Sequence, residues 1–333
     1  MMSAAEMESL FKKFSGLKIG VIGDVMLDTY WWGKTDRISP EAPVPVVAVS
    51  SKEQRIGGAG NVALNVASLG CSVSVISIIG DDDEGKQLLG LLEKNSIGTD
   101  HISKSAERHT TNKIRIISRN QHMMRLDAEM THELSSKEDE VLLGAFKSYV
   151  EKEQPHLIIL EDYNKGVLTE HVITEVISLC KEKNILTAVD PKRKNFFAYQ
   201  HADIFKPNLH EAKAALNTIG EISSEKELEE IHSAIYEKLY HNISFITLSE
   251  KGVFYESGKE KAIIPTHIRN IADVSGAGDT VIATAAVVYA ASKNVRLMAE
   301  IANIAGGLVC EEVGTVAIDR DKLLAECIHL ICS

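Results

Sequence analysis

Asp273-Val-Ser-Gly-Ala-Gly-Asp279-Thr-Val-Ile-Ala-Thr-Ala-Ala286 is a small-residue turn that ends in a carboxylate and runs directly into an apolar helix. Gly276, Ala277 and Gly278 leave backbone N–H groups bare, and the helix N-terminus behind them completes a concave, positively polarised nest. Such a nest suits the charge that develops in phosphoryl transfer. The carboxylate of Asp279 would repel a phosphate that merely rested there. It makes better sense as a base that takes the proton of an attacking hydroxyl. The same residues also satisfy a plainer pattern, an Asp capping a helix after a glycine-rich turn, and a motif this short does not choose between the two.

Outward from that turn, short apolar runs alternate with helical stretches. Lys18-Ile-Gly-Val-Ile22, Val73-Ser-Val-Ile-Ser-Ile-Ile79, Leu157-Ile-Ile-Leu160, Leu186-Thr-Ala-Val189, Ile204-Phe205 and Ser244-Phe-Ile-Thr-Leu248 read as strands buried on both faces. The alternation predicts an α/β fold with a mostly parallel, doubly covered sheet. Two regions break it, near 29–49 and 110–127, where polar and aromatic positions interleave with β-branched ones. They predict a small accessory sheet. No low-complexity linker, repeat or composition shift divides the chain, so residues 1–333 read as a single domain.

A formal net charge of −11 argues against a nucleic-acid partner or an anionic membrane surface. No run is long enough to span a bilayer and no signal peptide opens the chain, so the expected location is the cytoplasm. The five cysteines are scattered, without metal-binding spacing, and read as buried thiols. An anionic ligand must therefore meet a local basic cluster. Lys113, Arg115, Arg119 and Arg125 lie on or after an accessory strand, and Lys165, Lys192, Arg193 and Lys194 follow sheet strands. Two other motifs fall short. Gly80-Asp-Asp-Asp-Glu-Gly85-Lys86-Gln87 has P-loop spacing, but Gln87 replaces the metal-binding hydroxyl and four acids crowd the loop. Gly58-Ala-Gly60 resembles a dinucleotide fingerprint, yet the preceding strand is expected to stop near Val49, with polar 50–55 in between.

Five segments in order resemble the PfkB, or ribokinase-like, family of carbohydrate kinases across essentially the whole chain. They are Gly57-Gly-Ala-Gly-Asn61-Val-Ala63 with Gly70 and Gly80; Gly80-Asp81 with Gly85; Pro207-Asn208-Leu-His-Glu211; Thr247-Leu-Ser-Glu-Lys-Gly252; and the 273–279 turn. Val274 stands where many members have Thr, which bears on whether the loop meets a monovalent cation, and Thr284 where a smaller residue is common. The resemblance implies a ribokinase-like fold with a β lid, and ATP with Mg²⁺. Asp279 would be the base, with the N–H groups of Ser275, Gly276, Ala277 and Gly278 as the anion hole. Asn208 and Glu211 would act through the metal and its waters on the ATP phosphates, Glu211 being the residue nearest the metal. Thr247, Gly252 and Asn303 would border the nucleotide. Asp24, Asp28, Gly57, Gly58 and Asn61 would hold the sugar. Plainer readings exist for three of these groups: a Pro-Asn turn with a helix-start Glu at 208–211, a packing role for Asn303, and surface carboxylates at a strand end for Asp24 and Asp28.

Trp31-Trp-Gly-Lys-Thr-Asp-Arg37-Ile-Ser-Pro-Glu-Ala-Pro-Val-Pro-Val, 118–121 with Arg125-Leu-Asp127, Glu161-Asp-Tyr-Asn-Lys165-Gly166 and Asp190-Pro-Lys192 are similar to the heptose 7-phosphate kinases of lipopolysaccharide-core biosynthesis. That similarity implies a sugar-phosphate substrate whose phosphate meets Arg115, Lys165 and Lys192. Many such kinases carry a C-terminal nucleotidyltransferase. No His-x-Gly-His occurs here, so the expectation is a stand-alone kinase. Another PfkB sugar kinase and a catalytically idle sugar or nucleotide binder are the alternatives. The lid edges, with apolar Val44-Pro-Val-Val-Ala-Val49 beside Trp31 and Trp32, predict a homodimer formed through the lid.

Overall fold

The computed structural model describes residues 2–119, 121–220, 224–258 and 260–332; Asn120, in the 118–121 segment, lies outside them. In chain order the strands are β1 (Lys18–Gly23), β2 (Val25–Ile38), β3 (Pro45–Gly58), β4 (Ser72–Gly80), β5 (Gly98–Ser105), β6 (Thr111–Ser118), β7 (Gln121–Ala128), β8 (Leu157–Glu161), β9 (Leu186–Asp190), β10 (Ile204–Phe205), β11 (Ile243–Thr247), β12 (Val253–Ser257) and β13 (Glu260–Ile264). The α-helices are α1 (Ala4–Lys13), α2 (Ala59–Ser68), α3 (Asp83–Lys94), α4 (Ser136–Glu153), α5 (Glu170–Lys183), α6 (Leu209–Leu216), α7 (Glu225–Leu239), α8 (Ala277–Ser292), α9 (Val295–Val309) and α10 (Arg320–Ile331).

The six apolar runs form one sheet together with β5, β12 and β13, which were not expected, in the order β13-β12-β11-β10-β9-β8-β1-β4-β5. Neighbours from β11 to β5 are parallel, and β12 and β13 are antiparallel at the other edge. Parallel strands are continuously apolar because each side chain meets a helix layer. In β8, Leu157 and Ile159 enter the core with α1, α2, α8 and α9, whereas Ile158 and Leu160 enter the other with α4, α5 and α7. Polar residues appear where the strands end. Gly23 is in register with Glu161, and Glu161 with Asp190, so these carboxyl ends lie side by side.

The accessory sheet is β3-β2-β6-β7. It is longer than expected, because only Asp24 separates β1 from β2, and β3 continues to Gly58. The polar 50–55 stretch, expected to interrupt β3, is part of it. Its residues pair with 28–32 of β2, and cross-strand pairing overrides composition in a two-sided strand. The lid thus opens at Asp24 and returns at Gly57-Gly58, beside the carboxyl ends of the main sheet. Cys71, Cys180, Cys310 and Cys327 are buried thiols as expected, while Cys332 is half-buried.

Candidate active site

α8 begins at Gly276, a left-handed N-cap (φ 79°), with its first turn above the carboxyl ends of β8 and β9. A Cβ at Gly276 would lie 3.1 Å from the Asn61 amide nitrogen, so glycine serves both the turn and the close approach. Asp273 accepts from the Ser275 N–H (3.0 Å) and hydroxyl (2.9 Å) and, on its other oxygen, from the Gly314 N–H (2.9 Å), which sets the loop. The Ala277 N–H is turned onto the Val274 carbonyl (3.3 Å). The expected four-residue hole is thereby narrowed: Ser275 and Ala277 spend their N–H groups locally. Among the described residues, those of Gly276, Gly278 and Asp279 have no protein acceptor.

Asp279 is 5% exposed. Asn61 Nδ2 donates to its Oδ2 at 2.7 Å, and the Tyr163 hydroxyl donates to its Oδ1 at 2.6 Å. Burial pushes its pKa up to about 6, the bonds from Asn61 and Tyr163 hold it down, Asp190 adds to the rise and Lys206 opposes it. An oriented carboxylate with that pKa is ionised at neutral pH yet basic enough to take a proton. Asn61, expected on the sugar, gives its amide N–H to Asp279. One turn on, Asn65 accepts from Thr280 Oγ1 (3.0 Å) and from the Ile318 N–H (3.0 Å), so α2 grips α8 at two successive levels.

Asp24 also departs from its expected role. Its carboxylate accepts from the backbone N–H groups of Tyr163 (2.8 Å), Lys165 (3.0 Å) and Val167 (3.0 Å). Both oxygens are spent on the loop after β8, because a buried charge needs such donors. Asp28 faces the cleft from β2, paired with Arg115 NH1 at 2.5 Å. A Cβ on Gly57 would lie 2.6 Å from Asp28 Oδ2, and one on Gly58 (φ +59°) 2.3 Å from the Asp24 carbonyl; both glycines make room for these aspartates. Arg115 and Lys165, expected on a phosphate, already hold carboxylates: Asp28, and Glu129 at 2.8 Å. Lys113 differs. It has no carboxylate within ion-pair distance among the described residues, its ammonium lies 5.4 Å from the Tyr163 ring centre, and burial holds its pKa below the usual lysine value.

On the nucleotide side, Asn208 Oδ1 accepts from the Glu211 N–H and Glu211 Oε2 from the Asn208 N–H, each at 2.8 Å, a capping box that starts α6. Lys192 Nζ lies 2.7 Å from Glu211 Oε1 and 3.6 Å from Asp190 Oδ1, which pairs it with the carboxylates of this rim. Lys206, nearly fully buried, pairs with Asp190 Oδ2 at 2.7 Å. Among the described residues no three His, Cys, Asp or Glu side chains converge as a metal cage. Glu211, on the rim, suits a hard divalent ion held mainly by phosphates and water. Thr247 forms a bridge with Asn208. Gly252 (φ +100°) is needed by its turn, since a Cβ would lie 1.9 Å from the Ile264 carbonyl. Asn303 takes the packing role, donating to the Pro265 carbonyl at 2.8 Å.

Sequence reasoning named Glu161, Tyr163 and Asp190 only inside resembling segments and passed over Lys206. Their signal was position: each follows or ends a sheet strand, where open α/β sheets place ligands. Cavity size is a poorer guide. A cavity of about 690 Å³ opens at the opposite end of the sheet, among Gln154, His156, Lys183 and Lys293.

Residues 17–322 match the pfkB family carbohydrate kinase. The chain belongs to that family. This pfkB kinase is 38% identical over 96% of its length to a Trichlorobacter lovleyi protein named bifunctional protein HldE, covering 64% of it. It is 40% identical over 95% of its length to the Coxiella burnetii protein of the same name, again covering 64%. The chain thus spans just under two thirds of the curated relatives it matches. Phosphofructokinase-2 from Escherichia coli, in a complex with potassium, shares the fold at a TM-score of 0.76 and 18% identity, over 93% of this chain and 99% of that one. An Arabidopsis thaliana ribokinase complexed with ribose and ATP does so at 0.70 and 16%, over 92% and 98%. The enzyme is therefore a carbohydrate kinase with the ribokinase-like fold, acting on a small molecule with ATP.

Proposed function

We propose that this kinase transfers the γ-phosphoryl group of ATP to the anomeric hydroxyl of D-glycero-D-manno-heptose 7-phosphate, a step toward ADP-heptose for the lipopolysaccharide core, in the cytoplasm. Asp279 takes the hydroxyl proton, the freed oxygen bonds to the γ-phosphorus, the bond from that phosphorus to the bridging oxygen breaks, and ADP leaves. The N–H groups of Gly276, Gly278 and Asp279 face the charge that builds on the phosphoryl oxygens. Asn208 and Glu211 would hold Mg²⁺ through its waters, its charge would offset that of the ATP phosphates, and Thr247, Gly252 and Asn303 would shape the nucleotide rim. Asp28 accepts from sugar hydroxyls. A monovalent cation would sit by the 273–276 loop, and two copies would pair through their lids.

The substrate reading is carried by Lys113, a lysine on the lid strand β6 with no carboxylate partner among the described residues, beside the ring that touches the base. The segments similar to heptose 7-phosphate kinases and the likeness to proteins named HldE support it. An ADP-release assay over heptose 7-phosphate, free heptose, ribose, fructose and fructose 6-phosphate tests it. Heptose 7-phosphate is expected to have much the highest kcat/KM. Lys113→Met is expected to raise its KM by roughly tenfold to a hundredfold, the cost of one charge-assisted contact, and to leave that of free heptose nearly unchanged. Equal kcat/KM with and without the sugar's phosphate would sink the assignment and leave the kinase standing.

A further inference from the structure

Asp279 is covered on every side that an acceptor hydroxyl must approach. Its Oδ2 is committed to Asn61, which is fully buried in the first turn of α2. Its Oδ1 is committed to the Tyr163 hydroxyl at 2.6 Å, the length of a strong bond to an ionised acceptor. With one donor on each oxygen and only 5% of its surface exposed, Asp279 leaves an incoming hydroxyl little room. Moving one of the two partners would open the approach.

The two partners differ in how they are held. Asn61 is buried, and its carbonyl takes the Asn65 amide at 2.9 Å. Tyr163 is half-buried, on the loop after β8. Its backbone is pinned by Asp24, so the ring alone is left to swing. That ring lies between two cations, Lys113 Nζ at 5.4 Å from the centroid and Lys192 Nζ at 5.5 Å. Lys113 comes from the lid, on the sugar side. Lys192 comes from the loop after β9, beside Glu211 and the nucleotide rim. An anionic sugar and the ATP phosphates would each draw one ammonium away from the ring.

We propose that Tyr163 is a positioning residue and plug: its hydroxyl holds Asp279 Oδ1 in the place of the acceptor's hydroxyl, and it swings off when acceptor and nucleotide engage Lys113 and Lys192. The inference rests on Asp279 being the base of the proposed reaction. The charged groups around the pair come from every element packed on it. They are Glu161 at the end of β8, Asp190 at the end of β9, Lys206 after β10, Lys192 and Lys113. Burial and the charge of Asp279 push the Tyr163 phenol well above its ordinary value, so it stays a donor across the working range. A plug of this kind would keep the base from activating water when no sugar is bound.

Tyr163→Phe removes the hydroxyl and keeps the ring, the loop and the Asp24 anchors. The hydroxyl's bond favours ionised Asp279, so its loss raises the pKa of the base in the free enzyme. The acid limb of kcat/KM, which reports the free enzyme, is expected to move to higher pH by roughly 0.5–1 unit. The limb of the single-turnover rate at saturating sugar and ATP reports the loaded enzyme and is expected to stay in place. KM for the acceptor should fall. Both limbs moving together would show Tyr163 on the base throughout turnover and overturn the plug. Neither limb moving would show that the phenol has no hold on the base. A ¹³C NMR titration of the Asp279 carboxylate in the substrate-free wild type and variant checks the free-enzyme half of that comparison without turnover. An unchanged titration overturns the inference even if the heptose assignment holds, and a shifted one together with a loaded-enzyme limb that stays in place supports it even if the true sugar is another.

Discussion

A carboxylate surrounded by water is too weak a base for a sugar hydroxyl, and a fully buried one with no donor would not ionise at neutral pH. Asp279 lies between these limits because burial raises it to about 6 while Asn61 and Tyr163 keep it ionisable. Activity should fall as pH drops through about 6. Asp279→Asn is expected to lower kcat by roughly two to four decades with sugar and ATP still bound, as measured by single-turnover kinetics and equilibrium binding. Near-normal turnover would remove Asp279 from the mechanism. The same residue should cost stability. Its folded pKa is raised from 3.8 to about 6. The penalty is therefore absent below about pH 3.8, builds between there and about pH 6, and is complete above it. Asn pays no such penalty, and the Asn61 amide has only to flip, since its Oδ1 has no partner. Asp279→Asn should thus be more stable than wild type at pH 7, by about 1–3 kcal/mol from a shift of roughly two units. Chemical unfolding at pH 7 and pH 4 checks it: the gain should vanish at the lower pH.

At the scale of elements, the site depends on turns that only certain residues can make. Gly252 closes the β11–β12 connection with a positive φ and its Cα hydrogen against the Ile264 carbonyl. Gly252→Ala forces that backbone apart and is expected to cost about 2–3 kcal/mol, read as a lower urea midpoint at unchanged m. Asn303 holds the next carbonyl, that of Pro265, so the displaced segment adjoins the nucleotide rim of the proposed reaction. KM for ATP should therefore rise more than KM for the sugar, and an unaltered midpoint would refute the strain argument. The 208–211 motif shows how much of an element was legible. Its Asn and Glu were readable as a helix start, and the capping box is there. That Glu211 also meets Lys192 was not, because the lysine arrives from a different strand.

At the scale of the molecule, the lid is a four-stranded sheet with β3 and β7 as open edges. It carries exposed apolar residues: Ile38 (60%), Val49 (44%), Met124 (57%) and Leu126 (43%). Such edges and faces are ordinarily covered. The expected outcome is a homodimer by light scattering at micromolar concentration, converted to a monomer by Met124→Lys with Leu126→Lys. A wild-type monomer would contradict it. Among the described residues no helix is long and apolar enough to cross a membrane.

The sequence by itself determined the layered α/β architecture, the existence of an accessory sheet and the turn that carries Asp279. These follow from short-range patterns: apolar runs that need cover on both faces, interleaved β segments, and glycines that let a helix start at bare N–H groups. Composition missed the edge strands β5, β12 and β13 of the main sheet, and the reach of the accessory strands, because polar 50–55 is held in β3 by its pairing with β2. The tertiary structure alone decided what surrounds Asp279. Asn61 and Tyr163 lie 218 and 116 positions from Asp279 along the chain, and only the order of β1, β8 and β9 beneath α8 brings them to it. It likewise decided that Asp24 anchors a loop, that Arg115, Lys165 and Lys192 are already paired, and that Lys113 has no carboxylate partner among the described residues. Which partner a charge finds is settled by packing across distant segments, and a buried charge takes whichever donor the fold delivers to it.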